Sequence, residues 1–541
     1  MIHLKSIQLK NKNILILGAS LLQKPAIQSA KELGCKVFVV DANPNALCVS
    51  LADVFECIDL KDEQGLLSYA KKIHNSEGLH GVFTAGTDFS KSVAFVTENL
   101  NLNGHSYQST KNASDKALMR QCFKNFKVSS PKFTVLTEND LSKIQSNPKE
   151  FLSSLEFDLK NPLVVKPCDN MGARGCKKID NFEEINNFVD AVKDSIKNSR
   201  TKRAILEEFM DGDEFSIDAL VFENQIVITG FADRHIFYPP YFIEMGHTMP
   251  TKLSKEQILS VVTEFCKGVK SLGLTCGAAK GDIKLTSKGV MIGEIAARLS
   301  GGYMSGWTFP YSSDINLTKQ GILLALGENP NFSDEELEIL TELSINSEKI
   351  LVKMCKTPKV CAERAWISIP GKISKIYGIN SDFKNKNSHL KDIFIRSKEG
   401  DEVKFPTNNV EKCGNVITLS DSFEKSNIEA EKIISSIVLR LEPNSEETTK
   451  FLEQDLDTNF PPSAFNTKLD LENLEHIAME IETSSLRDWN YRTIKETIKL
   501  FTEISNCEIF ISNEKFWHYL LRGGIQGALY YFDSFHDDRV E

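Results

Sequence analysis

The sequence GAAKGDIKLTSKGVMIGEIAARLSGG, at residues 277–302, predicts a β-hairpin. Apolar and polar residues alternate on both sides of the TSKG segment at residues 286–289, which is the pattern of two half-buried strands. A three-residue loop at residues 287–289, with glycine in the left-handed position, is a favoured connection. Counting outward from that loop places Asp282 directly opposite Glu294.

Two carboxylates at that spacing indicate a metal site. Directly opposed side chains have Cβ atoms about 5 Å apart, and two like charges there destabilise a sheet. A divalent cation removes the repulsion, because Mg²⁺ takes carboxylate and phosphate oxygens as ligands. Lys280, Ala296 and Arg298 fall on the same face of the hairpin. The alternative is a solvent-exposed face that tolerates the like charges.

Composition excludes several classes of protein. With 541 residues, 41% hydrophobic and 26% charged, the chain resembles a soluble globular protein of several domains. The formal net charge of −10 gives no reason to expect nucleic acid, whose binding leaves a basic footprint. The 12 cysteines contain no C-x-x-C pair, which favours free thiols over a zinc, iron–sulfur or disulfide framework. Without a run of roughly 20 apolar residues or an apolar leader, we expect a cytoplasmic protein that binds no membrane.

The N-terminal segment alternates short apolar strands with helices. Strands are predicted at residues 13–17, 37–41 and 81–84, and a helix at residues 21–33. That order predicts a parallel sheet with helices on both faces. The turn after the first strand, GASLLQ, lacks G-x-G-x-x-G, so a substrate-side domain is favoured over a dinucleotide-binding one, despite Asp41 at the end of the second strand.

Beyond residue 114 the pattern changes. A helix is predicted at residues 115–124, strands dominate through residue 237, and a helix at residues 255–272 precedes the hairpin. A polar, acidic stretch at residues 329–347 is predicted to be a helical connector. Residues 352–419 are again rich in strands. After Pro443 the sequence is mostly helical and polar, with several aromatic residues and an Arg-Gly-Gly segment at residues 522–524.

Residues 163–179, LVVKPCDNMGARGCKKI, indicate a phosphate site. A strand delivers Lys166, and the loop after it contains Gly172 and Gly175. Glycines let the backbone approach a phosphate, and lysine supplies a point charge, although the segment is not a Walker A loop. The alternative is an ordinary glycine-containing hairpin.

Residues 204–222, AILEEFMDGDEFSIDALVF, predict two strands joined by a turn. The first strand ends at Glu207 and Glu208, and Glu214 begins the second. Backbone groups at such a strand end are suited to the edge of an adenine ring, and Glu214 is suited to ribose hydroxyls.

Taken in order, these segments resemble the ATP-grasp family. Its pattern is a lysine before the domain, a strand lysine with a glycine-rich loop, an acidic hinge strand and two metal carboxylates. The matching stretches here are SDKALMR, VVKP, LEEFMDGDEF, GDIKL and GEIAAR. The resemblance implies ATP and Mg²⁺, or Mn²⁺, as cofactors. The residue roles it implies are triphosphate binding by Lys116 and Lys166, adenine contacts from Glu207, Glu208 and Met210, a ribose contact from Glu214, and metal binding by Asp282 and Glu294.

The resemblance covers about residues 10–445 and predicts a multidomain α/β and α+β fold. An N-terminal Rossmann-like pre-ATP-grasp domain is expected at residues 1–113 and the ATP-grasp, nucleotide-binding domain at residues 114–330. A β-rich lid is expected at residues 331–445, followed by an additional, mostly helical segment at residues 446–541.

Residues 238–250, YPPYFIEMGHTMP, are similar to the E-x-G-H/Q-x-x-P element of ATP-grasp dipeptide and carnosine-type ligases. In those enzymes a glutamate and a histidine line the acceptor site, and an arginine after the metal carboxylate steadies the acyl phosphate. The corresponding residues are Glu244, His247 and Arg298. An ammonium nucleophile is attracted by a carboxylate, and a developing phosphorane by cations. For His247, a hydrogen-bonded core histidine is the alternative.

The resemblance therefore implies an ADP-forming ligase that joins a small carboxylate, such as an amino acid, to an amine through an acyl phosphate. A bicarbonate-activating carboxylase of the purine or biotin-carboxylase type is a second hypothesis, because those enzymes have similar N-terminal and lid segments. A third is a regulatory ATP-binding protein with weakened turnover, since Ala296 replaces the family's metal-site asparagine. The resemblance also implies a homodimer that acts on small molecules and binds no nucleic acid.

Overall fold

The structure is a computed structural model that describes residues 9–180, 182, 184–380, 382–467, 481–507 and 513–535. The chain forms two compact units. The first comprises Met1–Met171, Ile179–Arg234 and Thr248–Cys361, and the second comprises Gly172–Lys178, His235–His247 and Ala362–Glu541. Within the described residues, every helix is too short or too polar to span a membrane.

The predicted N-terminal parallel sheet is confirmed in the first unit. Its strand order is Val54–Cys57, Lys36–Asp41, Asn13–Leu17 and Gly81–Phe83. Asn13–Leu17 is buried on both faces, which explains its unbroken apolar sequence. Asp41 accepts a hydrogen bond from the main-chain nitrogen of Ala19 at 2.7 Å and so stabilises the turn after the first strand. The helices of this segment are Lys24–Glu32, Glu63–Glu77, Ser90–Asn99 and Tyr107–Ser114.

A second sheet in the first unit positions two of the predicted site residues. Its central strand, Arg203–Glu208, pairs antiparallel with Phe133–Thr137 on one side and with Leu163–Pro167 on the other. Lys166 and Glu207 therefore lie on adjacent strands. The helices that follow these strands are Glu138–Ser146, Pro148–Ser153 and Ile185–Asn198.

The hairpin at residues 277–302 belongs to a larger sheet. Gly277–Thr286 pairs antiparallel with Gly289–Ala296 and with Asp213–Phe222. Asp213–Phe222 also pairs with Gln225–Phe237, whose residues as far as Arg234 belong to this unit. Helices Lys116–Phe126 and Lys255–Leu272 pack with this sheet around a shared apolar core. Further helices are Met304–Thr308, Phe309–Ser313 and Leu317–Ala325.

The helical connector predicted at residues 329–347 is wrong. Leu337–Ile345 is a strand antiparallel to Glu348–Cys355, which runs parallel to the strand that begins at Gln225. Apart from Thr341, apolar residues occupy every second position of Leu337–Ile345. The intervening acidic residues give the stretch its polar composition, but a period of two is the period of a strand.

The second unit contains β-strands and helices around one continuous core of described residues. Gly371–Tyr377 pairs antiparallel with Glu402–Val403 and with Val438–Leu441. Leu390–Ile395 pairs antiparallel with Gly414–Ser420. The strand Val360–Trp366 enters this unit at Ala362. The helices are Phe383–Lys386, Phe423–Ser435, Glu446–Leu452, Ile494–Ser505 and Glu514–Ser534.

Seven described aromatic residues after Pro443 belong to the core or pack against it. Trp489, Phe516, Trp517, Tyr530 and Tyr531 are buried in the same cluster as strand residues of the predicted lid. Tyr491 and Phe532 pack against that cluster. These side chains therefore complete the interior of the second unit and do not form an exposed docking surface.

The Arg-Gly-Gly segment is a corner inside helix Glu514–Ser534. Gly524 has φ 59° and ψ −145°, a backbone conformation that kinks the helix and favours glycine. Arg522 is fully buried and donates hydrogen bonds to the carbonyl oxygens of Phe451 at 3.2 Å and Pro461 at 2.9 Å. Burial lowers the pKa of Arg522 to about 10.

Replacing Trp517 with alanine is predicted to lower the free energy of unfolding by roughly 3–5 kcal/mol, because a large buried side chain leaves a cavity. The measurement is urea unfolding followed by circular dichroism. Leu486→Ala, at a position that is 42% exposed, is the control and should change the midpoint little. Equal midpoints for the two variants would contradict the buried placement of Trp517.

Candidate active site

A β-bulge brings the two predicted metal carboxylates opposite each other. Thr286 lies opposite Gly289, so the hairpin loop has two residues, and the predicted three-residue loop is wrong. The register then shifts beside Asp282, with Gly293 as the extra residue. Asp282 consequently pairs with Glu294, as predicted. The loop is one residue shorter than predicted, and the bulge adds one residue to the second strand, so the two differences cancel at Asp282 and Glu294.

Asp282 lies between two cations. Its carboxylate is 2.8 Å from Arg234 Nη1 and forms an ion pair with Lys280 Nζ. Burial acts to raise the pKa of Asp282, but Arg234 and Lys280 outweigh burial and lower the pKa to about 2. Asp282 is therefore ionised at neutral pH.

Glu294 is also held in its ionised form. Its carboxylate lies 3.5 Å from Lys116 Nζ, and that ammonium also donates to the carbonyl oxygen of Asn170 at 2.9 Å. Burial acts to raise the pKa of Glu294, but Lys116 and Lys280 outweigh burial and lower the pKa below its ordinary value. Lys116 thus lies beside the second carboxylate, although their sequence positions are far apart.

The donor set fits a hard divalent cation. Two ionised carboxylates on adjacent strands offer the oxygen ligands that Mg²⁺ prefers. Ala296 lies opposite Lys280 and offers no ligand atom. Among the described residues, no group of three or more His, Cys, Asp or Glu side chains is arranged to hold a metal ion. Metal binding by Asp282 and Glu294 stays a prediction.

A buried ion-pair network joins Lys166, the predicted phosphate-site lysine, to the bulge. Glu207 is 2.7 Å from Arg120 Nε and 2.6 Å from Lys166 Nζ, and both Glu207 and Arg120 are almost completely buried. Arg120 also donates to the carbonyl oxygen of Gly293 at 2.7 Å. Burial acts to raise the pKa of Glu207, but Arg120 and Lys166 lower it below its ordinary value.

The predicted adenine strand ends beside this network. The main-chain nitrogen of Glu208 donates to the carbonyl oxygen of Lys132 at 3.0 Å. The side chain of Met210 reaches the bulge, since a Cβ added at Gly293 would lie 3.4 Å from Met210 Cε. Glu214, the predicted ribose ligand, is 2.6 Å from Arg234.

Sequence reasoning missed two arginines that organise these carboxylates. Arg120 follows Lys116 by four residues on one helix, so both project from the same face, and that spacing was a usable signal. Arg234 pairs in register with Glu214 across two strands. This second contact depends on strand pairing, which the sequence left open.

Arg298 follows the hairpin and donates to the carbonyl oxygen of Leu299 at 3.1 Å. Its Nε is buried without a hydrogen-bond partner among the described residues. The next turn is anchored by Asp218, which accepts hydrogen bonds from the main-chain nitrogen and the hydroxyl of Ser300. Burial raises the pKa of Asp218 to about 7.

The remaining predicted residues lie in the second unit. Gly172 and Gly175 have φ of 69° and 68°, and the loop conformation therefore requires glycine-like freedom at both. The carbonyl oxygen of Gly172 accepts a hydrogen bond from the main-chain nitrogen of Asn409 at 3.1 Å.

Glu244 and His247 are both buried in the second unit. His247 Nδ1 lies 3.3 Å from Glu363, whose carboxylate also accepts a hydrogen bond from Asn415. The carbonyl oxygen of His247 accepts a hydrogen bond from Arg364 at 3.1 Å. Burial and pairing with a carboxylate are compatible with both interpretations of His247, and its acceptor-site role stays a prediction.

Two family descriptions match the chain. Residues 27–104 match the ATP-grasp N-terminal domain, and residues 159–306 match the ATP-grasp domain. The predicted fold class is confirmed: these two segments of the chain are similar to ATP-grasp domains.

Two curated relatives illustrate the range of similar proteins. Uncharacterized protein y4rH of Sinorhizobium fredii is 22% identical over 326 residues, which are 60% of this chain and 65% of that protein. Carnosine synthase 1 of Homo sapiens is 22% identical over 341 residues, which are 60% of this chain and 40% of that protein. The chain thus spans less than two thirds of the length of either relative.

Solved structures share the fold at low sequence identity. L-amino acid ligase from Bacillus licheniformis has a TM-score of 0.63 and 20% identity, covering 80% of this chain and 99% of that chain. The biotin carboxylase domain of 2-oxoglutarate carboxylase from Hydrogenobacter thermophilus has a TM-score of 0.58 and 16% identity, covering 80% of this chain and 91% of that chain. The latter structure is a complex with the magnesium salt of ADP and with bicarbonate.

Replacing Glu207 with glutamine is predicted to lower the free energy of unfolding by about 3–5 kcal/mol at pH 7, because the buried Arg120 and the partly buried Lys166 lose their partner. Since the folded-state pKa of Glu207 is lowered, its contribution is present at neutral pH and is lost as the pH falls through that pKa. The deficit should therefore shrink in acid. The measurement is urea unfolding at several pH values, with Glu208→Gln, at the neighbouring partly buried position, as the control. An equal loss of unfolding free energy in both variants would contradict the ion-pair network.

Proposed function

We propose that the chain is an ATP-dependent carboxylate–amine ligase that works through an acyl phosphate. The observation that carries the proposal is the opposed, ionised pair Asp282 and Glu294 with Lys116, Lys280 and Arg234 around it. Such an arrangement suits a nucleotide triphosphate bound together with a divalent cation. The carnosine synthase and L-amino acid ligase relatives support this reaction class.

The net charge of the ion-paired residues around the proposed site is a reason to expect that nucleotide binding depends on a metal ion. The cluster is defined by ion pairs to four carboxylates and contains six cations: Lys116, Arg120, Lys166, Arg234, Lys280 and Lys284 with Glu207, Glu214, Asp282 and Glu294. The excess of two positive charges is smaller than the charge of a triphosphate. Mg²⁺, when bound, supplies two further positive charges against the phosphate oxygens.

Each residue then has a defined role in the proposed reaction. Lys116 and Lys166 bind phosphate oxygens, and the strand from Glu207 to Met210 contacts the adenine. The substrate carboxylate attacks the γ-phosphorus, and ADP leaves. Arg298 steadies the acyl phosphate, which an amine then attacks to give an amide and phosphate.

Further contacts belong to the ribose and to the amine. Glu214 binds the ribose hydroxyls. When the nucleotide binds, the carboxylate of Glu214 would leave Arg234 and contact the ribose instead. Glu244 and His247 are the proposed acceptor-side residues, because an ammonium group is attracted by a carboxylate. A homodimer in the cytoplasm is part of the same proposal.

The two rival functions are separated by one screen. ADP and phosphate release are measured with a panel of paired amino acids and amines, and with bicarbonate alone. Release that requires both an acid and an amine supports the ligase, whereas release with bicarbonate favours a carboxylase. ATP binding without release in any mixture would favour the regulatory protein.

Asp282→Asn is predicted to lower substrate-dependent ADP release by more than about 100-fold, because it removes one of two metal carboxylates. The assay is coupled ADP detection at saturating ATP. Asp314→Asn, which removes a surface ion pair with Lys359, is the control and should retain the wild-type rate. Turnover that survives Asp282→Asn would refute the metal assignment.

ADP is predicted to bind at least about tenfold more weakly in EDTA than in excess Mg²⁺, because the cluster alone carries little net positive charge. Isothermal titration calorimetry measures both affinities. The double variant Asp282→Asn, Glu294→Gln should bind ADP equally in the two buffers. A metal dependence that persists in the double variant would place the cation elsewhere.

A further inference from the structure

A cavity of about 60 Å³ lies inside the first unit beside Arg298. Its wall is formed by strand Gly81–Phe83, by the start of helix Ser90–Asn99, by the first residues of strand Gly277–Thr286 and by helix Leu317–Ala325. The cavity therefore adjoins the end of the hairpin that carries the proposed metal carboxylates.

Two residues that line the cavity each have a buried polar atom without a partner in the part of the chain that the structure describes. Ser90 is 4% exposed, and its Oγ has no hydrogen-bond partner among the described residues. The same holds for Nε of Arg298, another residue that lines the cavity. A buried polar group left without a partner costs about 1–3 kcal/mol, so such groups usually have a ligand or water to bind.

The charge of the lining residues indicates which kind of ligand the cavity binds. Arg298 is the charged side chain among the residues that line the cavity. His105 also lines it, but burial lowers its pKa to about 4, so its ring is neutral. The ring is engaged, because Nδ1 accepts from the main-chain nitrogen of Thr275 at 3.3 Å and Nε2 is 2.9 Å from the carbonyl oxygen of Ala278. An anion is therefore favoured.

The rest of the wall is mostly aliphatic, and the space is small. Val93, Ala94 and Leu324 face the cavity. A dry cavity of about 150 Å³ takes a benzene ring, so this one takes only a few heavy atoms. Its shape and polarity fit a short carbon chain with one further polar atom within reach of Ser90.

We infer that this cavity receives the chain of the carboxylate substrate, with the carboxylate at Arg298 and a hydroxyl or amino substituent at Ser90. The inference rests on the proposed ligase function and narrows its substrate class to short aliphatic amino or hydroxy acids. Larger side chains such as those of leucine and phenylalanine are excluded by volume.

The first test compares two serines of one helix. Ser90→Ala removes the unpartnered hydroxyl and should raise the KM for alanine, β-alanine or lactate by about three- to tenfold, with little change in Tm. Ser92 is equally buried, but its hydroxyl donates to the carbonyl oxygen of Leu60 at 2.8 Å, so Ser92→Ala should lower Tm and leave KM unchanged. If only water occupies the cavity, neither variant will change KM, and the inference is overturned.

The second test compares two leucines of helix Leu317–Ala325. Both Leu323 and Leu324 are buried, but only Leu324 lines the cavity. Leu324→Ala should shift the kcat/KM ratio of leucine to alanine by about tenfold toward leucine, because the cavity is enlarged. Leu323→Ala should lower stability similarly and leave the ratio unchanged. Equal ratios in both variants would overturn the inference.

These outcomes are distinct from failure of the proposed function. If no acid in the panel supports ADP release by the wild-type protein, the ligase proposal fails, and the cavity loses its substrate. If the wild type turns over but the paired variants do not differ, the ligase proposal stands, and the cavity inference alone is rejected.

Discussion

The buried pairing of Glu207 with Arg120 and Lys166 is the constraint on which the active-site geometry depends. Arg120 is held by Glu207 and donates to the carbonyl oxygen of the bulged residue Gly293. The bulge in turn sets which residues face each other farther along the hairpin. One buried carboxylate thus fixes Lys166, the proposed phosphate ligand, and, through a backbone carbonyl, the register of the proposed metal carboxylates. Removing a partner from such a pair leaves buried charge uncompensated, which costs far more than losing a surface ion pair.

The local features of this site were predictable from sequence, whereas their supports were not. The alternation of apolar and polar residues predicted both strands of the hairpin. Counting residues outward from the loop then placed Asp282 opposite Glu294. The loop length was wrong, and the bulge that offsets it is stabilised by Arg120, which is 173 residues from Gly293 in sequence. A contact of that separation leaves no local pattern. The parallel N-terminal sheet was predicted because each buried strand is continuously apolar, and the strand Leu337–Ile345 was missed because its acidic residues hid a period of two.

Ala296 reduces the number of side chains that are available to bind a cation at the proposed site. If Asp282 and Glu294 bind a cation as proposed, they do so without a side-chain amide, and phosphate oxygens would have to supply more of its coordination. The surrounding lysines and arginines keep both carboxylates ionised. The donor set is therefore prepared for a cation before the nucleotide arrives, although the protein alone offers an incomplete coordination shell.

The shared core of the second unit has a consequence for synthesis of the chain. Ile243 and Met245 occupy the same core as Tyr530 and Tyr531, near the other end of the described residues. The first unit is complete in sequence once Cys361 has been made. At typical rates of about 5–20 residues per second, the ribosome needs roughly 10–35 s more to deliver the last aromatic residues of that core. During this interval the earlier apolar residues of the second unit lack their partners, which makes nascent chains the stage at which this protein is most exposed to chaperones and proteases.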